Sequence, residues 1–220
     1  MLPSEASLVV AYGASRVTIR KALEVLREEG VVDARQGFGW FVASAPIRQP
    51  LRALDTIEAR LEASGRVSRR QVLDFTFVDS PPHVAQALGP RSLEVRRVSL
   101  ADGQPFARVT VWCREDLAAE LSRAAVERFS FRELLDVDFG GATQTIEAGL
   151  AGSADAALLC VAAESPVLIV KRVTHDRQRV PVLVAEHVFP GHLTEFVVDL
   201  ESVGDIADSP SGLRLLDEPA

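Results

Sequence analysis

Within its first forty-two residues the chain carries two capped helix signals and then a hairpin signal, and that order leaves little room for another arrangement. Ser4 is suited to cap a helix, Glu5 falls in its first turn, and Gly13 is the stop. Ser15 opens a second helix that should run to Gly30. There Ile19, Ala22, Leu23 and Leu26 line one stripe at helical spacing, while Arg16, Thr18, Arg20, Lys21, Glu24 and Arg27 fill other faces. Val31 and Val32 then begin an extended segment, residues 35–39 make a turn, and Trp40-Phe41-Val42 returns. Two helices on a short Gly13-Ala14 turn, followed by a β-hairpin, are the pattern of a winged helix-turn-helix. The plainer reading is a generic helical hairpin with solvating cations; the order and tight spacing of the elements count against it.

The formal net charge of -7 argues at first against a nucleic-acid partner. Residues 1–44, however, hold five basic residues (Arg16, Arg20, Lys21, Arg27, Arg35) and five acidic ones, so all the acidity lies beyond them. Ser15 to Lys21 has three cations and no acid. Phosphate contact responds to that local cluster more than to the sum over the chain.

Residues 45–50, with Pro46 and Pro50, read as a linker. Beyond them, residues 51–200 form an α+β region with an antiparallel sheet. Helices are expected over Leu54–Ser64, Pro82–Leu88, Leu117–Ala125, Ser130–Leu135 and Ser153–Leu159. Strands are expected over Gln71–Asp79, Leu93–Leu100, Pro105–Trp112, Gln144–Ala151, Val167–His175 and Val182–Phe189. The tail 201–220, rich in Ser, Gly, Pro and Asp, is expected to be loosely held.

With 47% hydrophobic and 25% charged residues, the composition is that of a soluble protein with a real core. No apolar run approaches the roughly 20 residues of a membrane span, and nothing at the start suggests export. Cys113 and Cys160 are read as buried thiols of a cytoplasmic protein. His83, His175, His187 and His192 show no metal spacing, and neither a phosphate loop nor a nucleophile motif stands out, so neither metal nor cofactor is expected.

Several runs taken together resemble the GntR family of transcription regulators. They are Leu2-Pro3-Ser4-Glu5, the stretch from Tyr12 to Leu23, Glu29-Gly30, and the stretch from Arg35 to Val42. Residues 51–200 are similar to the UTRA effector-binding domain of the HutC subfamily, which has a chorismate-lyase-like fold. The runs carrying that likeness are Arg97 with Asp102-Gly103-Gln104-Pro105, Ser130 to Leu135, Pro166-Val167-Leu168, and Phe196 to Leu200.

The resemblance implies that residues 1–44 bind operator DNA. Ser15, Arg16, Val17, Thr18, Arg20 and Lys21 would lie at the major groove, and Arg35, Gln36, Gly37, Phe38 and Gly39 would form the wing. Arginines are suited to guanine or phosphate, and the helix start to phosphate. It also implies a homodimer and a small-molecule effector. Three departures stand out. Ala6 replaces a common Arg, which would weaken binding by about 1–3 kcal/mol if that residue touched a base. Phe38 and Trp40 replace small or basic wing residues, Trp40 being read as a packing residue. The family's first helix and strand do not precede Leu2, so the winged domain is expected to be truncated.

In members that sense phosphorylated sugars the likeness implies two arginines, a serine, a tyrosine and a glutamate. Here those positions are Arg97 and Ser99, Ser130, Arg132 and Val109. The incomplete clamp points to an anionic metabolite other than a hexosamine phosphate, held by Arg97, Ser99, Ser130 and Arg132. Equally open is that the arginines simply pair with acids of this acidic domain. The expected function is an effector-controlled repressor without enzymatic activity. The alternatives are a sensor that has lost DNA binding and a chorismate-lyase-like enzyme.

Overall fold

The computed structural model describes residues 2–29, 31–35, 39–42, 46–50, 58, 61–62 and 65–198. Helix α1 spans Glu5–Tyr12, with the Ser4 hydroxyl accepting from the amide of Ser7 at 3.1 Å. Gly13 ends it in the left-handed region at φ 61°, where a side chain is strained. Helix α2 spans Arg16–Glu28, two residues short of the expected Gly30 stop. Strands β1 (Val32–Arg35) and β2 (Gly39–Val42) pair antiparallel as the wing hairpin. Ile19, Leu23, Val32 and Trp40 form the core between helices and hairpin. Trp40 therefore packs, as expected, and its indole nitrogen donates to Glu5 at 3.1 Å. On the far side of α1, Val10 and Tyr12 are exposed.

The stretch read as a linker holds a strand, β3 (Ile47–Pro50), which pairs in parallel with β10 (Thr194–Val197). Its partner lies far along the chain, so no local pattern announces it.

The rest is one six-stranded antiparallel sheet. Its strands are β4 (Ser68–Asp79), β5 (Arg91–Ala101), β6 (Gln104–Arg114), β7 (Phe139–Leu150), β8 (Pro166–Asp176) and β9 (Pro181–Pro190), in the order β4-β5-β6-β9-β8-β7. Helix α3 (Pro82–Leu88) follows β4 and α7 (Ser153–Leu159) follows β7, both with the expected bounds. The helix expected over Leu117–Ala125 is two: α4 (Glu115–Ala118) and α5 (Arg123–Arg128). Ser122 separates them because its hydroxyl caps α5, accepting from the Ala125 amide at 3.2 Å. Helix α6 spans Phe131–Leu134. Within the segment expected to be helical over 54–64, Glu58, Leu61 and Glu62 are helical.

One face of the sheet buries Leu93, Val95, Phe106, Val109, Val111 and Phe189 with Leu61, Val126 and Phe131. The opposite face carries α3 on Trp112 and Val184, and α7 on Val167 and Val188. Arg108 ties α7 to that face through Asp155 at 2.8 Å and Glu186 at 2.9 Å. Cys113 is buried, and burial pushes its thiol up to about 12. Cys160, expected to be buried, is only partly so, because it ends α7 in the left-handed region at φ 53°. The expected loose tail lies outside the described residues. No helix among the described residues is long and apolar enough to cross a membrane.

Candidate functional site

The first candidate surface is the opening of α2. The Ser15 hydroxyl accepts from the Thr18 amide at 3.1 Å and lies 2.8 Å from the Thr18 hydroxyl. This cap fixes the first turn and leaves Arg16, Val17, Arg20 and Lys21 exposed, with Val17 77% accessible. Glu5 lies between Trp40 and Arg20: its Oε1 accepts from the Trp40 indole and is 3.6 Å from the Arg20 Nε. At 67% side-chain exposure that ion pair is too solvated to hold Arg20 back from another anion. A row of exposed cations around a bare Val suits phosphate oxygens, base acceptors and a thymine methyl group. On the wing, Gly39 has φ 92°, a conformation that only glycine adopts freely. The candidates Gln36, Gly37 and Phe38 lie outside the described residues, and of Arg35 only the backbone is described.

The second candidate is a cavity of about 90 Å³ on the inner face of the sheet. Alternation along each strand sends every second residue there: Arg97 from β5, Arg172 and Thr174 from β8, and His187 from β9. Ser130 and Arg132 reach the same cavity from the start of α6. Three of these groups are positioned from outside the cavity. Arg172 donates through Nε and Nη2 to the Gln144 Oε1 at 2.8 and 2.6 Å. The Arg132 guanidinium lies 5.3 Å from the Phe139 ring centre. Ser130 donates its amide and hydroxyl to Glu133, at 2.7 and 2.6 Å, in a capping box.

Arg97 is buried, and its Nη2 lies 3.5 Å from the carboxylate of Glu58. The same Glu58 oxygen is 3.1 Å from the Arg70 Nε and accepts from the Ser99 hydroxyl at 3.1 Å. Burial alone would raise the Glu58 pKa, but Arg97 and Arg70 overcome it and hold the carboxyl down to about 2. Burial lowers the Arg97 pKa, and Glu58 opposes that shift. His187 is held down to about 3, first by burial and then by Arg172 and Arg97, so its ring is neutral. Of the residues that line the cavity, Arg97 and His187 each bury a nitrogen, Nε and Nδ1, that has no hydrogen-bond partner.

Of the residues singled out from the sequence, Arg97, Ser130 and Arg132 therefore line one cavity. Ser99 does not line it; its hydroxyl turns to Glu58. Arg172, Thr174, His187, Arg70 and Glu58 were not anticipated. The signal for the first two was a polar pair two apart, on a strand face otherwise apolar at Leu168 and Val170.

Residues 1–42 match the family described as bacterial regulatory proteins, gntR family, and residues 63–194 match the UTRA domain. The HTH-type transcriptional repressor NagR of Bacillus subtilis is 28% identical over 208 residues, covering 89% of this chain and 84% of NagR. The HTH-type transcriptional regulator Rv0792c of Mycobacterium tuberculosis is 32% identical over 197 residues, 84% of this chain and 73% of that protein. The crystal structure of PhnF from Mycobacterium smegmatis superposes with a TM-score of 0.63 at 24% identity, covering 91% of this chain and 92% of PhnF. Two helices with a wing, followed by a six-stranded UTRA sheet, define a transcription regulator and not an enzyme. The chain belongs to the GntR family, in its UTRA-containing HutC-type branch.

Proposed function

We propose that the chain represses transcription as a cytoplasmic homodimer whose grip on operator DNA is set by a small anionic metabolite. Residues 1–44 would form the reading unit and residues 51–200 the effector unit. The observation that supports this most is the cavity lined by Arg97, Arg132 and Arg172, in whose wall the Arg97 Nε and the His187 Nδ1 are buried without partners. Leaving such atoms unpaired is costly, and an anion with a second polar group would pair both. The neutral His187 adds a hydrogen-bonding group without adding charge. Ser99 in place of a second arginine, together with a cavity of about 90 Å³, favours an anionic head smaller than a hexosamine phosphate. The name of the Bacillus subtilis relative as a repressor supports the direction of control.

Two measurements test this reading. In gel shifts with the DNA upstream of its own gene, binding should fall steeply with salt, and Arg16→Ala should weaken it at least tenfold. Calorimetry of the full chain should show binding of compact carboxylates or phosphate that Arg172→Gln removes. Tight binding of glucosamine-6-phosphate would sink the choice of effector.

A further inference from the structure

Among the described residues, the Glu58 carboxylate is the one acidic group placed on the cavity's buried arginine. It comes from between β3 and β4, where Glu58, Leu61 and Glu62 are helical, and not from the sheet and α6 that supply the rest of the site. Arg97 stands between two spaces. On one side its Nη2 meets Glu58 at 3.5 Å, and on the other it lines the cavity. Arg70 and Ser99 complete the hold on Glu58 from positions that do not line the cavity. A guanidinium has five donors and one charge, so an anion arriving in the cavity draws on the same positive charge that retains Glu58.

Resting on the effector reading above, we propose that Glu58 is a built-in competitor of the effector, an internal carboxylate occupying Arg97 that an incoming small anion weakens. The same group then sets affinity and reports occupancy. While the cavity is empty, Glu58 pins its helical stretch to β4 and β5 through Arg70, Arg97 and Ser99. When an anion shares Arg97, that stretch loosens. Leu61, three residues on, is buried in the sheet's core, so loosening at Glu58 strains a packed contact. In chain order this stretch follows β3, which β10 holds, and β3 follows the wing. A ligand shifts this equilibrium only as far as its affinities for the pinned and loosened forms differ, and Glu58 supplies that difference.

The test compares the full wild-type chain with Glu58→Gln, titrated with inorganic phosphate and, separately, with succinate. Removing a negative charge a few ångströms from the bound anion should tighten binding by about tenfold. Ser99→Ala, a milder change that guards against misfolding of Glu58→Gln, should tighten it about twofold. In hydrogen exchange, either anion should speed exchange of residues 51–66 in the wild type. In Glu58→Gln that segment should exchange fast already and gain little more. Unchanged or weaker affinity in both variants overturns the proposal, as does slower exchange of 51–66 in the anion-bound wild type. Arg172→Gln separates this failure from that of the underlying reading. If it abolishes binding while Glu58→Gln and Ser99→Ala change nothing, the cavity stands and the competitor falls. If Arg172→Gln leaves binding intact, or neither anion binds any variant, both fall.

Discussion

Among the described residues of the DNA-reading half, the buried residues are Ile19, Leu23, Val32, Trp40 and Phe41, and α1 buries no residue fully. In the effector half, a continuous cluster runs from Leu61 and Val72 through β5, β6, β8 and β9 to Phe189, with α5 and α6 laid over it. Stability follows apolar area removed from water, so the two halves differ in how much damage each can absorb. They also differ in electrostatics. Around α2 the cations stand in solvent, with only a wide pair to Glu5 among the described residues. At the cavity Glu58 and Arg97 are buried and mutually dependent, with Glu58 answering to Arg70, Arg97 and Ser99 together, while Arg172 is half-buried and Arg132 exposed. A surface meant for a polyanion keeps its cations hydrated and available. A site meant to change state keeps its deciding cation, here Arg97, dry, where each charge weighs more.

The largest expected effects break this comparison directly. Phe106→Ala, at a fully buried position near the start of β6, should cost about 3–5 kcal/mol and lower the melting temperature of the effector half. Leu23→Ala should cost about 2–5 kcal/mol, but in a core with so few members. Operator binding should be lost while anion binding by calorimetry stays within twofold of wild type. Equal loss of both activities in Leu23→Ala would mean the halves unfold together.

The unequal cores also explain what was legible beforehand. Helix α3 and helix α7 kept their expected ends because proline and small capping residues punctuate them locally. The caps Ser4 and Ser15 were legible for the same reason. Strand β3 was not, because its hydrogen bonds go to β10, far away in the chain. The site divides likewise. Arg97, Ser130 and Arg132 followed from family likeness, and they do share a cavity. Arg172, Thr174 and His187 were hidden because the inward face of β8 and β9 is known only once their register is known. Glu58 was hidden because a glutamate on a helix reads as solvated unless its buried partners are seen.

Acid should separate the halves next. An unfolded histidine takes a proton near pH 6.5, whereas the folded chain keeps His187 neutral down to about 3. Between those values the unfolded state binds the extra proton, so the stability His187 contributes is full above pH 6.5 and is lost as pH falls. The slope is about 1.4 kcal/mol per pH unit, or about 2 kcal/mol between pH 6.5 and 5. Glu58 acts in the same direction lower down. Its contribution is full above its unfolded value of 4.5 and is lost as pH falls toward about 2. Urea melts of the effector half should therefore weaken from pH 6.5 downward, and His187→Gln should flatten the slope between pH 6.5 and 5. A slope that survives the substitution would place the proton uptake elsewhere.

The smallest expected effect tests whether Ser15 acts on the helix or on the DNA. Its hydroxyl accepts from the Thr18 amide and contacts the Thr18 hydroxyl, so Ser15→Ala removes the α2 cap at a cost of about 1 kcal/mol. Ser15→Gly removes the same oxygen but costs only a few tenths of a kcal/mol, because glycine is itself tolerated at a cap. If Ser15 serves the helix alone, operator affinity should follow stability, and the glycine variant should bind almost as well as wild type. If the hydroxyl also meets a phosphate, both variants should lose the same several-fold affinity, whatever their melts show. Titrating both against operator DNA at two salt concentrations checks this, since loss of a hydroxyl contact should leave the salt slope unchanged while loss of a cation lowers it.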